Sequence, residues 1–208
     1  MAPEAFFLPV AEGQRFCLYY EPNCEEPAGA VLYFPPFGEE MNKSRRMAAL
    51  QARMLADHGY AVLLIDLYGC GDSSGDFGDA TWQIWLQDIL DAYTWLHSRC
   101  QAPLWLWGVR AGCLLATAAA MQLGEAASFL FWQPVLSGKQ FLQQFLRLKV
   151  ASELLTGDNK GGMEPLKRQL ADGQAVEIAG YSLSPALAQG LEQAELLPPP
   201  MPGRLVWL

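Results

Sequence analysis

Short apolar runs alternate with helical patterns as far as residue 133, and this alternation limits the fold more than any other feature of the sequence. The runs end at proline, glycine or polar residues, as buried strands do, and the segments between them space apolar residues at helical intervals. The predicted strands are residues 29–37, 60–67, 104–107 and 128–133, and the predicted helices are residues 42–58, 81–98 and 111–123. Apolar strands alternating with helices are typical of a mostly parallel sheet covered on both faces. The sequence therefore predicts an α/β fold.

The regular alternation of strands and helices stops after residue 133. The sequence here predicts a helix over 141–155, a polar loop over 158–162, a short strand over 174–178, a helix over 185–196, a stiff connector over 198–203 and a last strand over 204–208. A chain of 208 residues has the size of one domain. We therefore expect a single domain over 1–208, with a small helical cap inserted at about 137–172.

Charge and composition exclude several classes of function. The net charge of -8 offers no basic surface for nucleic acid, and no apolar run reaches the roughly 20 residues of a membrane span. Five cysteines without a CxxC pair, and an N-terminus without the features of a secretory signal, favour the cytoplasm. With only two histidines in the chain, we expect neither a metal site nor a cofactor.

The turn between the third predicted strand and its helix reads GVRAG over residues 108–112. A G-x-S-x-G turn at this place is the nucleophile elbow of an α/β-hydrolase, where small residues allow a tight crossing and the central residue projects over the sheet. Here the central residue is Arg110. A guanidinium has no lone pair with which to attack a substrate.

A glycine-rich loop over residues 66–75 (DLYGCGDSSG) resembles the D-x-x-G-x-G-x-S-x-G loop of the same superfamily. A dinucleotide fingerprint is the rival interpretation, because Gly69 and Gly71 follow a strand. Ser74 stands at the third glycine position, however, and no helix opens at the loop. Cys70 and Ser73 of this loop are the weak candidates for an alternative nucleophile, whereas Cys113 is expected to be buried in helix packing.

Together with residues 39–46 and 131–139, these motifs make the chain resemble the α/β-hydrolase-like family named exosortase A system-associated hydrolase 2. The resemblance spans nearly the whole chain. It implies a bacterial protein found with exosortase, PEP-CTERM protein sorting and exopolysaccharide production. It also implies an α/β-hydrolase fold whose final elements are absent from this sequence. The family takes its name from its fold, which does not establish a reaction.

A Ser-His-Asp triad is missing at each of its positions. Arg110 replaces the serine, residues 133–144 contain no carboxylate, and no histidine follows the last predicted strand. His58 and His97 are expected at helix ends away from the cleft. The sequence thus predicts a pseudoenzyme with no conventional catalytic residues, and a hydrolase acting on an ester or thioester through a non-standard site is the alternative.

Arg110 at a helix N-terminus could instead hold a carboxylate or phosphate, with basic residues of the preceding helix at the same rim. The alternative is an internal ion pair of Arg110 with Glu39, Glu40 or Asp66. The predicted ligand-binding set is Arg110, Phe37, Gly38, Glu39, Lys43, Arg46, Val109 and Ala111.

Two further surfaces are candidates for partners. The apolar last strand at residues 204–208 leaves a sheet edge that a second copy or a partner protein would complete. The helix at 141–155 combines an apolar stripe with a basic edge. We interpret it as a cap over the cleft, and docking to a membrane or a partner is the alternative.

Overall fold

The computed structural model of the protein describes residues 2–156, 162–197 and 202–208. Within these ranges the chain forms nine strands, six α-helices and a short 3-10 helix at Phe77–Asp79. The strands are β1 (Glu4–Val10), β2 (Gly13–Tyr20), β3 (Gly29–Phe34), β4 (Tyr60–Ile65), β5 (Leu104–Val109), β6 (Ala127–Trp132), β7 (Val176–Ile178), β8 (Tyr181–Leu183) and β9 (Leu205–Trp207). The helices are α1 (Glu39–Asp57), α2 (Trp82–Arg99), α3 (Gly112–Leu123), α4 (Gly138–Thr156), α5 (Met163–Ala171) and α6 (Pro185–Gln193).

Seven strands form one sheet in the order β1-β2-β4-β3-β5-β6-β9. The strands from β4 to β9 in this order are parallel, and they place Leu106 between Leu32 and Phe129. The predicted α/β class and mostly parallel sheet are confirmed. The antiparallel hairpin β1–β2 at one edge was not predicted, because Glu12, Gln14 and Arg15 around its turn interrupt the apolar pattern of the sequence.

The sheet buries apolar residues on both faces. On one face, Leu32, Leu106 and Phe129 belong to the large core that also contains α2 and α3. On the other face, Val62 and Trp107 pack with the alanines of α1 in a smaller core. This second face has less helical cover, and Trp132 on it is only partly buried.

The first strand-to-helix connection differs from its predicted bounds. The strand predicted over 29–37 ends at Phe34, because Pro35 lacks the N–H that would continue the ladder. Helix α1 begins at Glu39, three residues before its predicted start, because Gly38 turns the chain at a φ of 56° that favours glycine. The α1 N-terminus therefore lies directly at the ends of the strands.

The chain between β6 and β9 forms α4, α5, the β7–β8 hairpin and α6. The range 137–172 predicted as a cap thus contains α4 and α5, with residues 157–161 outside the described part. Most of the predicted 158–162 loop and of the 198–203 connector also lies outside it. Among the described helices, none combines the length and apolar content that a membrane span requires.

Candidate functional site

The connection from β5 to α3 has the geometry of a tight elbow. Arg110, at its centre, has a φ of 54°, a left-handed conformation that non-glycine residues rarely adopt. A Cβ on Gly108 would lie 2.7 Å from the Cα of Cys113, and one on Gly112 would overlap the carbonyl oxygen of Phe34. Glycine is therefore required at both positions, because any side chain there would collide with Cys113 or with Phe34. In the first turn of α3, the N–H groups of Cys113 and Leu114 donate to the carbonyl oxygens of Arg110 and Ala111. The helix dipole places partial positive charge at this end of α3, beside Arg110.

The Arg110 side chain makes two long polar contacts. Its Nε lies 3.4 Å from Oε1 of Glu40, and its Nη1 lies 3.4 Å from the carbonyl oxygen of Gln133. The side chains of Arg110 and Glu40 are 35% and 41% exposed. Of the three carboxylates considered from the sequence, the structure therefore pairs Arg110 with Glu40.

Aromatic side chains fill the cleft beside the elbow. The ring of Phe37, which follows β3, lies 5.5 Å from the ring of Phe77 and 5.7 Å from that of Trp85. Phe141 and Phe145 of α4 approach the same ring to 5.6 Å and 5.2 Å. This arrangement brings α4 onto the cleft and holds it there by apolar packing.

The space left in this cleft is about 20 Å³, bordered by Phe37, Gly38, Cys70, Trp85 and Ala111. Small-molecule sites usually measure about 300–1,000 Å³. The cleft on the cap side of the elbow is therefore closed to a ligand in this conformation.

An open cavity of about 330 Å³ lies on the other side of the elbow, between α1 and the ends of the strands. We call it the Arg110 pocket, and its lining includes Tyr33, Met47, Val109, Arg110, Trp132 and Leu208. Arg110 is the only charged residue along its wall among the residues that the structure describes. Val109 and Arg110 belonged to the predicted set, whereas Met47 and Trp132 were missed because periodicity assigns them to the core.

The glycine-rich loop is held by its own hydrogen bonds. Asp66 forms an ion pair with Arg45, whose Nη2 lies 2.8 Å from Oδ2, and also accepts a hydrogen bond from the N–H of Asp72. The Ser73 hydroxyl donates to the carbonyl oxygen of Asp66 and accepts from the N–H of Phe16. Ser73 thus joins the loop to β2.

The thiols near the elbow are poorly suited to attack. Burial, together with the nearby Asp66 and Asp88, raises the pKa of Cys70 to about 12. Burial also raises the pKa of Cys113 to about 12, and its side chain is fully enclosed. A thiol is nucleophilic as the thiolate, so neither group is activated where it lies.

Both histidines of the chain lie at the edge where the parallel strands begin. His58 caps the end of α1 just before β4, and its Nδ1 lies 2.7 Å from the carbonyl oxygen of Met54. His97 stacks on Tyr93 near the end of α2. The elbow lies at the opposite edge, so neither imidazole can serve it as a base. No cluster of three or more potential metal ligands occurs within residues 2–156, 162–197 and 202–208.

The remaining predicted residues separate into two groups. Glu39 accepts hydrogen bonds at 3.1 Å from Asn42 and at 3.2 Å from the hydroxyl of Tyr181, which joins the β7–β8 hairpin to α1. These hydrogen bonds lower the pKa of Glu39. Lys43 and Arg46 are exposed on α1, and neither forms an ion pair with a described residue.

The sheet order and the elbow define an α/β-hydrolase fold. The chain belongs to the X-Pro dipeptidyl-peptidase (S15) family, whose model matches residues 18–146. It is 31% identical over 110 residues to the human protein ABHD12B, a match that covers 52% of this chain and 29% of that protein. The chain thus spans less than a third of that relative's length.

Solved structures show the same fold. Est1E from Butyrivibrio proteoclasticus with ferulic acid bound matches with a TM-score of 0.69 and 18% identity, over 97% of this chain and 77% of that one. The α/β-hydrolase GrgF from Penicillium sp. sh18 matches with a TM-score of 0.62 and 16% identity, over 100% and 90% of the two chains. Mouse α/β-hydrolase domain-containing protein 10 matches with a TM-score of 0.63 and 17% identity, over 98% and 77%.

Proposed function

We propose that this α/β-hydrolase-fold protein binds an anionic ligand at Arg110 and does not carry out conventional serine hydrolysis. The observation that carries the proposal is the replacement of the elbow nucleophile by an arginine held at a φ of 54°. Such backbone strain persists where the surrounding structure imposes it, and it is often associated with function. An arginine at this point places a fixed positive charge beside the positive end of the α3 dipole.

The ion pair with Glu40 does not preclude a ligand. Partly exposed ion pairs contribute about 0–1 kcal/mol, and a 3.4 Å separation is long for a charge-assisted hydrogen bond. An anion with two oxygens in the plane of the guanidinium can form two parallel hydrogen bonds, which a single oxygen at this distance cannot. The alternative is that the pair of Arg110 with Glu40 is purely structural, and the test must distinguish this from ligand binding.

We place this binding protein in the cytoplasm and in the exosortase, PEP-CTERM and exopolysaccharide system of bacteria. The support for the system is the resemblance of residues 39–46, 66–77 and 131–139 to the exosortase-associated family. The support for the compartment is that all five cysteines are free.

Hydrolysis of an ester, a thioester or an X-Pro peptide through a non-standard site is the second candidate. Membership of the X-Pro dipeptidyl-peptidase family favours it, as does the position of Cys70 at the small cavity beside the elbow. Against it stand the pKa of Cys70, the occupied hydroxyl of Ser73 and the distance of both histidines from the elbow.

Turnover assays with nitrophenyl esters, an acyl thioester and an X-Pro dipeptide anilide test this choice. We expect rates no higher than those of Arg110→Gln, the matched variant with a neutral elbow. Turnover that survives purification and disappears in Cys70→Ala or Ser73→Ala would contradict the proposal and support the second candidate.

We also propose that the free edge of β9 pairs with a second copy of the chain or with a partner protein. Strand β9 is hydrogen-bonded only to β6 and ends the seven-stranded sheet. Its Leu205 and Trp207 are about half exposed. An uncovered apolar edge favours pairing with another chain. Light scattering at high concentration tests self-pairing: we expect a dimer, and a strictly monomeric protein would leave only the partner form of the proposal.

A further inference from the structure

We infer that the ligand of Arg110 carries an apolar tail, and that this tail occupies the Arg110 pocket between α1 and the strand ends. The inference rests on the proposed function and names the class of ligand: a linear aliphatic carboxylate of about ten non-hydrogen atoms. The size follows from the cavity of about 330 Å³, because a water molecule occupies about 30 Å³ and a chain carbon is of similar bulk.

The first argument is the position of the pocket relative to the guanidinium. Arg110 lies in the wall of the Arg110 pocket together with Val109, directly before it on β5, and Gln133, whose carbonyl oxygen it contacts. A carboxylate on Arg110 can therefore extend its chain into the pocket. On the other side of the elbow, the aromatic packing around Phe37 leaves only about 20 Å³. Of these two cavities beside the elbow, only the Arg110 pocket has room for a tail.

The second argument is the chemical contrast along the wall. Apart from Arg110, Gln133 and Ser44, the described residues of the wall are apolar or aromatic, and Trp132 and Met47 come from opposite sides. Apolar cavities with one oriented charge select amphiphilic ligands, because the charge fixes the head and the apolar wall favours a dehydrated tail. Inorganic phosphate would satisfy Arg110 and leave this wall in contact with water.

The third argument is the exposure of the side chains at the pocket mouth. Met47 is 56% exposed and Trp132 is only partly buried, although both border a cavity that they could help to close. Methionine is flexible and adapts its shape to irregular apolar partners. Exposed apolar groups gathered around a cavity mark binding grooves more often than isolated surface residues do. A bound chain would cover them.

Lys43 lies one helical turn before Met47 on α1 and is exposed. It therefore adds positive charge on the side of α1 that faces the mouth of the pocket. Glu40, the partner of Arg110, is the opposing charge in the same region. The carboxylate must compete with Glu40, so the head alone binds weakly and the tail supplies much of the affinity.

Calorimetric titration with linear carboxylates of 2 to 14 carbons tests the inference on the full chain, with the alcohol of equal length as a neutral control. We expect affinity to rise by up to about fourfold per methylene, the value for full burial. The rise should stop near ten carbons. Arg110→Gln should weaken decanoate at least tenfold, and decanol should bind no better to the wild type than to this variant.

The decisive variant is Met47→Trp, which places a large ring at the mouth of the pocket from the solvent side. Its matched control is Met54→Trp, because Met54 is equally exposed on α1 at 58% but does not border the pocket. We expect Met47→Trp to abolish the dependence on chain length while acetate binding persists, and Met54→Trp to bind as the wild type does. Both substitutions are at exposed positions, so both variants should fold.

The outcomes separate this inference from the proposed function. Small anions that require Arg110 with no dependence on chain length would overturn the inference and leave the proposed function standing. Decanoate binding that is unchanged in Arg110→Gln or in Met47→Trp would also overturn the inference. An oligomer that Met47→Trp dissociates would assign the pocket to a second copy of the chain and overturn it as well. Failure of every anion to bind would remove both proposals.

Discussion

The guanidinium of Arg110 and the carboxylate of Glu40 meet across the elbow, with Nε 3.4 Å from Oε1 and both side chains partly exposed. One residue comes from the end of β5 and the other from the first turn of α1. The pair therefore joins the elbow after β5 to the first turn of α1, at the edge of the sheet where α/β folds bind ligands. Under the proposed function, an external anion replaces Glu40 because this ion pair is weak.

Replacing Glu40 by glutamine should strengthen anion binding. Removal of a charge about 4 Å from the guanidinium is worth about 1 kcal/mol in water, so affinity for acetate or decanoate should rise about fivefold. Calorimetry on Glu40→Gln measures the change. Glu39→Gln is the control, because Glu39 is hydrogen-bonded to Tyr181 and Asn42 instead of Arg110, and its effect should be smaller. Equal effects of the two variants would mean that only net charge matters.

The left-handed conformation of Arg110 should cost stability. Glycine adopts a φ of 54° without the steric penalty of about 1–2 kcal/mol that other residues incur. Arg110→Gly should therefore unfold in urea with a free energy about 1 kcal/mol higher than that of Arg110→Ala, in which the strain persists. If the two variants were equally stable, the elbow would have relaxed and the strain would not be imposed by the fold.

Substitution in the buried ion pair between Arg15 of β2 and Asp88 of α2 should destabilise the protein far more than substitution in an exposed ion pair. Arg15 Nε lies 2.6 Å from Asp88 Oδ1, and both residues are about 1% exposed. Asp88→Ala removes the oxygens that accept from Arg15 Nε and from the N–H of Tyr68, and it leaves the buried Arg15 charge without a carboxylate, so the free energy of unfolding should fall by about 3–5 kcal/mol. The control is Glu4→Gln, which breaks the exposed pair with Arg99 and should cost about 0–1 kcal/mol. Similar losses in both variants would show that Arg15 reaches solvent.

The same carboxylate should make stability depend on pH. Burial raises the pKa of Asp88 from 3.8 to about 6, although the N–H of Tyr68 and the charge of Arg15 oppose the shift. The folded protein then binds a proton that the unfolded chain does not bind between about pH 4 and pH 6. The stabilisation from this protonation is fully present below about pH 4 and is lost as the pH rises through about 6.

Urea unfolding of the wild type and Asp88→Asn from pH 4 to pH 8 isolates this contribution. The difference in unfolding free energy, wild type minus variant, should be largest at pH 4. A difference that grows toward pH 8 would show that Arg15 holds the carboxylate ionised in the folded state.

Most of the fold could be predicted from the sequence because its parallel strands are mainly apolar and end at proline, glycine or polar residues. The GVRAG pentapeptide likewise located the elbow, since only glycine fits where Gly108 meets Cys113 and Gly112 meets Phe34. The β1–β2 hairpin escaped prediction because Glu12, Gln14 and Arg15 around its turn interrupt the apolar pattern, although Arg15 is buried in the structure. In the β7–β8 hairpin, the short strand predicted over 174–178 contains β7, whereas β8 was missed because it has only three residues.

The site was less accessible to sequence analysis. Whether Arg110 pairs with Glu39, Glu40 or Asp66 depends on side-chain geometry at three separate loops, and Arg45 proved to be the partner of Asp66. The closure of the cleft around Phe37 depends on aromatic residues from four distant segments. The Arg110 pocket lies between α1 and the ends of the strands, and short sequence patterns do not indicate a space between elements that are distant in the sequence.

The most direct test of the central claim is thermal unfolding of the wild type and Arg110→Gln with and without anions: phosphate, acetate, decanoate, ferulate and a nucleotide sugar. An anion at about 100 times its dissociation constant for the wild type should stabilise the wild type by about 2.7 kcal/mol. It should stabilise Arg110→Gln, which binds at least about tenfold more weakly, by no more than about 1.4 kcal/mol. Arg99→Gln, which removes another partly exposed arginine, should respond as the wild type does. If no anion stabilises the wild type and Arg110→Gln alone is markedly less stable, Arg110 is a structural residue and the account is contradicted.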